Sequence, residues 1–192
     1  MQYIEELRPL SQKEIAEASR ECSADTIYLH WTAGHYGQVY GDYHLSIDKD
    51  GRVYAPFNNL DFNAYRTHTY RRNSGAIAIA LCGCYGAVAN AGYNAFLGNE
   101  PVTKEQIESM AQTVATICSN NSNISLDTNV LTHCEIACRD GYGVPYGAWV
   151  DGVYQGDYDL RWDLWYLPDY DGKMRPGGDV IRGKARWYMN HM

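Results

Sequence analysis

Apolar and polar positions along the chain follow two different periods. Thr26-Ile27-Tyr28-Leu29-His30-Trp31 is a short apolar run broken by Ala33-Gly34, with the length and β-branched content of a buried strand. Ala76-Ile77-Ala78-Ile79-Ala80-Leu81-Cys82-Gly83 is a second run, with one branched and one small face. Small residues on one side let a helix approach closely, which predicts a central place in a sheet. Between these runs, Tyr43-His44-Leu45-Ser46-Ile47 alternates as a half-buried strand should. Asp50-Gly51 then supplies a turn, and Arg52-Val53-Tyr54-Ala55 resumes the extended pattern, so a β-hairpin is expected. Asn129-Val130-Leu131-Thr132 reads as a short strand that delivers His133.

Three segments carry the helical period instead. Ser11-Gln12-Lys13-Glu14 has the spacing of a capping box and precedes Ile15, Ala16 and Ala18, so a helix is expected over about residues 11–22. Thr103-Lys104-Glu105-Gln106 repeats that spacing, and Ile107, Met110, Ala111, Val114, Ile117 and Cys118 then share one face. A last helix is expected around Val180 to Met189. Residues 56–74 and 84–101 read as irregular. Residues 140–159 hold five glycines among Tyr142, Tyr146, Trp149, Tyr154 and Tyr158, a length that marks functional or mobile loops.

Length and composition narrow the classes. A chain of 192 residues, 45% hydrophobic and 20% charged, fits one sizeable domain with a real core. We expect a domain over residues 1–168, with 169–192 as a helical extension packed on it. A net charge of −7 without a Lys/Arg cluster argues against nucleic acid as a partner. No apolar run approaches membrane-spanning length, so no stable membrane association is expected. The N-terminus Met1-Gln2-Tyr3-Ile4-Glu5-Glu6 lacks a basic start and an apolar core, so synthesis in the cytoplasm without a signal peptide is the expectation. The six cysteines form no CxxC pair, and most read as small core residues. Seventeen Tyr and five Trp against three Phe favour rings with a polar handle, suited to half-wet grooves.

Three positions offer metal-ligand chemistry: His30 at a strand end, His133 at another, and Asp163 in Arg161-Trp162-Asp163. Two neutral imidazoles and a carboxylate around Zn²⁺ leave a fourth tetrahedral position for water, the pattern of a catalytic zinc site. A lone strand-end histidine is commonly a satisfied core residue, so His30 gains meaning only from its partners. Cys138 rivals Asp163 as a ligand, because thiolates bind zinc well. Cys134 alternates with His133 along the expected strand and should face away.

Several stretches resemble one family in the same order. They are Leu29-His30-Trp31-Thr32-Ala33-Gly34, Asp42-Tyr43-His44-Leu45, Asp50-Gly51-Arg52-Val53-Tyr54, His68, the run from Ala76 to Gly83, Thr132-His133 and Arg161-Trp162-Asp163. Together they are similar to the type 2 N-acetylmuramoyl-L-alanine amidases, which include phage lysozyme-type amidases and share a fold with peptidoglycan recognition proteins. The resemblance implies an α/β domain with a central mixed β-sheet flanked by helices and Zn²⁺ in a surface groove at the strand ends. It implies His30, His133 and Asp163 as zinc ligands, and peptidoglycan or muropeptides as substrate. Where some members carry a catalytic glutamate this chain has Ala80, which cannot move a proton. Other members use a tyrosine at the position of Tyr43. Arg161 stands where a lysine often steadies the oxyanion, so the charge is kept with a different geometry.

His68 falls where a histidine often lines the groove, and Trp31, Tyr142 and Trp149 are expected to meet substrate. The implied activity is a monomeric, endolysin-type lysin that cuts the bond between N-acetylmuramic acid and L-alanine. A non-catalytic recognition module and a cytoplasmic muropeptide-recycling amidase are the alternatives.

Overall fold

The computed structural model describes residues 1–88, 93–143 and 161–192, together with the backbone of 149–150 and 153–154. In chain order the elements begin with β1 (Gln2–Tyr3), α1 (Gln12–Arg20), β2 (Thr26–Trp31), β3 (Gln38–Val39), β4 (Leu45–Ile47), β5 (Val53–Tyr54) and β6 (Ala76–Leu81). They continue with α2 (Lys104–Asn120), α3 (Leu126–Asn129), β7 (Val130–Thr132), α4 (His133–Arg139), β8 (Trp149–Val150), β9 (Val153–Tyr154), β10 (Tyr166–Pro168), β11 (Met174–Pro176) and α5 (Gly177–Met189).

One mixed sheet of five strands, ordered β5-β4-β6-β2-β7, carries the fold. The strands β4, β6, β2 and β7 run parallel, and β5 joins antiparallel through the Asp50-Gly51 turn, with Ile47 opposite Val53. The sequence expectation of a central β6 holds. The branched faces of β2, β4 and β6 (Ile27, Leu29, Leu45, Ile47, Ile77, Ile79, Leu81) join one core with Ile107, Met110, Val114 and Ile117 of α2 and with Val180, Ile181 and Ala185 of α5. Each large aliphatic side chain removed from water there contributes about 1.5–3 kcal/mol. Both expected capping boxes form, Ser11 with Glu14 and Thr103 with Gln106, so α1 and α2 begin where the sequence placed them.

The small face of β6 packs Ala76 with Ile136 of α4 and meets polar rings at Ala78. His44 accepts the Ala78 N–H at Nδ1, 2.9 Å, and its Nε2 donates to the Ala64 carbonyl, 2.8 Å. Its ring centroid lies 6.0 Å from that of His68, which in turn lies 6.0 Å from that of Tyr28. Because His44 uses its imidazole to bond the edge of β6, β4 starts only at Leu45, two residues later than the alternation suggested. Tyr43 therefore sits in the turn before the strand.

At the carboxyl ends of the parallel strands, β2 places His30 opposite Ala80 of β6, and Leu29 opposite Thr132 of β7. His133 does not extend a strand. Thr132 is the N-cap of α4, accepting from the Glu135 N–H while the Glu135 carboxylate accepts the Thr132 N–H, so His133 is the first residue of a helix. Cys134 is thus turned away by helical rather than strand geometry, and it faces Cys138 one turn on, with 3.9 Å between the sulfurs.

Asp163 is fixed by a close approach. The antiparallel β10–β11 pair returns the chain so that α5 starts against residues 164–165: Gly177 N–H donates to the Trp165 carbonyl, 2.9 Å. A Cβ on Gly177 would stand 2.0 Å from the Leu164 carbonyl oxygen. Leu164 itself is fully buried with φ at 60°, a conformation that costs a non-glycine residue about 1–2 kcal/mol and that its burial offsets. Gly183, in the same helix, faces open space. Gly177→Ala should therefore cost at least about 2 kcal/mol by urea unfolding and weaken metal uptake by displacing the segment next to Asp163. Gly183→Ala should instead gain about 0.5–1 kcal/mol from helix propensity alone.

Candidate metal centre

Three elements that are remote in sequence bring one side chain each to a single point: β2 gives His30, the first turn of α4 gives His133, and the segment before β10 gives Asp163. The three are buried, at 1%, 5% and 7% exposure. His30 Nδ1 lies 3.1 Å from His133 Nδ1 and 3.1 Å from Asp163 Oδ2, and His133 Nδ1 lies 3.1 Å from the same oxygen. Three donor atoms thus form an equilateral triangle. Two ring protons cannot give all three edges good hydrogen bonds, because the two nitrogens face each other as well as the carboxylate. A cation facing the triangle engages every lone pair. Tetrahedral zinc bonds of 2.0–2.1 Å separate ligand atoms by about 3.3–3.4 Å, close to the spacing present, and the donor set of two imidazoles and a carboxylate suits zinc.

The protonation states favour a cation as well. Burial pushes His30 down to about 4, with the neighbouring His133 adding to the effect against the opposing pull of Asp163. Burial alone would raise the Asp163 carboxyl, but His133 and His30, as charges and as hydrogen-bond donors, outweigh it and hold the group below the usual carboxylate range. At neutral pH the cluster holds a carboxylate and a neutral His30.

Two cavities open beside the triangle. One, of about 410 Å³, is lined by Trp31, Tyr40, Asp42, Tyr43 and Trp162 together with the candidate ligands His133 and Asp163. The other, of about 570 Å³, is lined by Thr69, Tyr70, Asn73 and Tyr142. Thr67, His68, His133 and Arg161 border both.

Tyr43 stacks at a tilt on His30, ring centroids 5.2 Å apart. Burial first, and the Asp163 and Asp42 carboxylates next, raise its phenol above the ordinary range, so it stays protonated. His68 is 8% exposed, its Nε2 has no hydrogen-bond partner among the described residues, and burial together with the neighbouring His30, His44 and His133 pushes it down to about 2. Arg161 is exposed and forms no ion pair among the described residues.

The remaining expected residues divide. Trp31 is 6% exposed and packs edge-on against Trp162 at 4.7 Å, so it is largely a core residue whose edge reaches the first cavity. Tyr142 lines the second cavity with a buried hydroxyl that lacks a partner, and its ring meets Tyr70 edge-on at 6.1 Å. The Trp149 side chain lies outside the described residues, as does most of the 140–159 segment. Cys138 does not join the triangle and packs against Cys134, as Trp162 and Trp165 also do. Sequence reasoning gave no role to Asp42, which lines the first cavity and accepts from the Thr67 hydroxyl at 2.8 Å, or to Thr69. Asp42 stood in the motif beside Tyr43, whereas no sequence signal marked Thr69.

Comparison with known proteins gives the chain its relatives. A search of curated protein sequences finds no match. Similar solved structures include the endolysin N-acetylmuramoyl-L-alanine amidase LysCS from Clostridium intestinale URNW, at 22% identity over 59% of this chain and 71% of that one, TM-score 0.40. The Ph2119 endolysin from Thermus scotoductus MAT2119 bacteriophage Ph2119 aligns at 14% identity over 93% and 89%, TM-score 0.44. Drosophila PGRP-LB aligns at 14% identity over 66% and 73%, TM-score 0.41. The family model for N-acetylmuramoyl-L-alanine amidase matches residues 17–143, a stretch that includes His30, Tyr43, His68 and His133 and ends before Arg161 and Asp163. With more than half of its length so matched, the chain belongs to the type 2 N-acetylmuramoyl-L-alanine amidase family.

Proposed function

We propose that the chain is a zinc-dependent peptidoglycan hydrolase of the endolysin type, cutting the amide between N-acetylmuramic acid and the L-alanine of the stem peptide. The observation that carries this reading is the triangle of His30 Nδ1, His133 Nδ1 and Asp163 Oδ2, at 3.1 Å on every side, beside two open cavities. A recognition module that only holds its ligand has no need of three buried metal donors. When bound there, zinc supplies a Lewis acid and lowers the pKa of a water toward ~7.

The chain's own residues account for the rest. The two cavities meet at Thr67, His68, His133 and Arg161, so a substrate whose scissile amide lies over the ligands extends one arm into each. Tyr43 keeps its proton and acts as a hydrogen-bond donor to the carbonyl oxygen as negative charge develops there, not as a base. Arg161 borders both arms and offers a charge to the same oxygen or to a substrate carboxylate. Ala80, level with His30 in the sheet, offers no proton acceptor. Among the described residues lining the first cavity, the carboxylates are Asp42 and Asp163. With Asp163 holding the zinc, Asp42 would be the remaining carboxylate of that cavity able to accept a proton.

Mass spectrometry of digests of intact sacculi and of soluble muropeptides tests the reaction, with metal content measured on the same samples. Wild type should release new L-alanine amino termini and hold one zinc per chain, and Asp163→Ala should lose the activity and at least about 100-fold in zinc affinity, more than removal of an outer-sphere partner costs. Zinc bound without new amino termini would leave the recognition-module alternative standing. Tyr43→Phe separates donor from ligand: kcat should fall about 100-fold while zinc affinity stays within about 2-fold.

A further inference from the structure

Thr69 touches the candidate metal centre from behind. Its Oγ1 is 3.4 Å from His30 Nε2 and 2.9 Å from His68 Nδ1, and the residue is 2% exposed. Its backbone is held firmly in place. The Asn73 side-chain oxygen accepts the N–H groups of both His68, 3.0 Å, and Thr69, 2.8 Å, and the Thr69 carbonyl accepts the Arg72 N–H at 3.0 Å. One hydroxyl therefore stands between a ligand histidine and the histidine that borders both cavities.

Proton counting sets the direction of these bonds. A ring nitrogen that gives its lone pair to a cation carries no proton, so a neutral His30 bound through Nδ1 is protonated at Nε2. That Nε2–H donates to Thr69 Oγ1. The hydroxyl's own proton then turns to its nearer neighbour, His68 Nδ1. Neutral His68 must in consequence carry its proton on Nε2, the buried atom that has no partner among the described residues. We infer that Thr69 is a positioning residue: through its hydroxyl, metal loading at His30 selects the His68 tautomer that presents Nε2–H to a carbonyl oxygen of the substrate. The inference rests on the zinc-hydrolase reading, and it assigns His68 the role of a neutral donor in the groove rather than that of a base.

Long-range ¹H–¹⁵N correlation spectra of the zinc-loaded, histidine-labelled protein decide the tautomer, and chelator competition gives the zinc affinity. Wild type and Thr69→Ser should show His68 protonated at Nε2 alone. Thr69→Val, which keeps the shape and removes the hydroxyl, should show a mixture of tautomers or the Nδ1–H form, and should lose about 10-fold in zinc affinity that Ser restores. His68 protonated at Nδ1 in the wild type overturns the inference without recourse to any variant. So does a Thr69→Val protein with unchanged tautomer and unchanged affinity. Failure of the wild type to take up zinc overturns the metal reading itself, an outcome distinct from zinc uptake that is indifferent to Thr69.

Discussion

Three lone-pair donors packed 3.1 Å apart in a buried corner are unstable company without a cation, and the surrounding fold is arranged to hold them there. Each donor is fixed by a different device. The central parallel sheet holds His30 at the end of β2, the capping box of Thr132 and Glu135 starts a helix on His133, and the Cys134 N–H bonds the Asp163 carbonyl beside the tight Gly177–Leu164 approach. Sheet, helix cap and backbone contact are all rigid, which the proposed ion site, with its set distances, requires.

The polar groups around the triangle are set by burial. Desolvation keeps Tyr43 protonated and His30 and His68 neutral, so these rings present donors and lone pairs rather than cations. Arg161 supplies the positive charge at the rim. Three buried polar atoms, His68 Nε2, His133 Nε2 and the Tyr142 hydroxyl, belong to residues lining the second cavity and lack partners among the described residues. Groups of that kind normally cost stability, and substrate oxygens are the natural acceptors for them.

Much of this was legible in the sequence wherever a local rule and the global fold agreed. The strand through His30, the Asp50-Gly51 hairpin and α2 follow from apolar period and turn chemistry, and the tertiary structure keeps them. His133 was misplaced on a strand although Thr132-His133-Cys134-Glu135 carries the capping-box spacing, because the apolar run before it masked the helix start. The β10–β11 hairpin was passed over despite its Asp171-Gly172 turn, for the segment between its strands is polar and short. Thr69 had no signal at all: its importance comes from two histidines, one of them thirty-nine positions away, that only the folded chain brings to it. The placement of Asp163 likewise follows a long-range backbone bond, the Cys134 N–H to the Asp163 carbonyl at 3.3 Å, that no periodicity encodes.

X-ray absorption at the zinc edge of the loaded protein tests the central claim most directly, since it reads the atoms around the ion. The geometry predicts a shell of nitrogen and oxygen alone at about 2.0–2.1 Å, from His30, His133, Asp163 and a water. A sulfur scatterer at about 2.3 Å would place Cys138 or Cys134 on the metal and contradict the account.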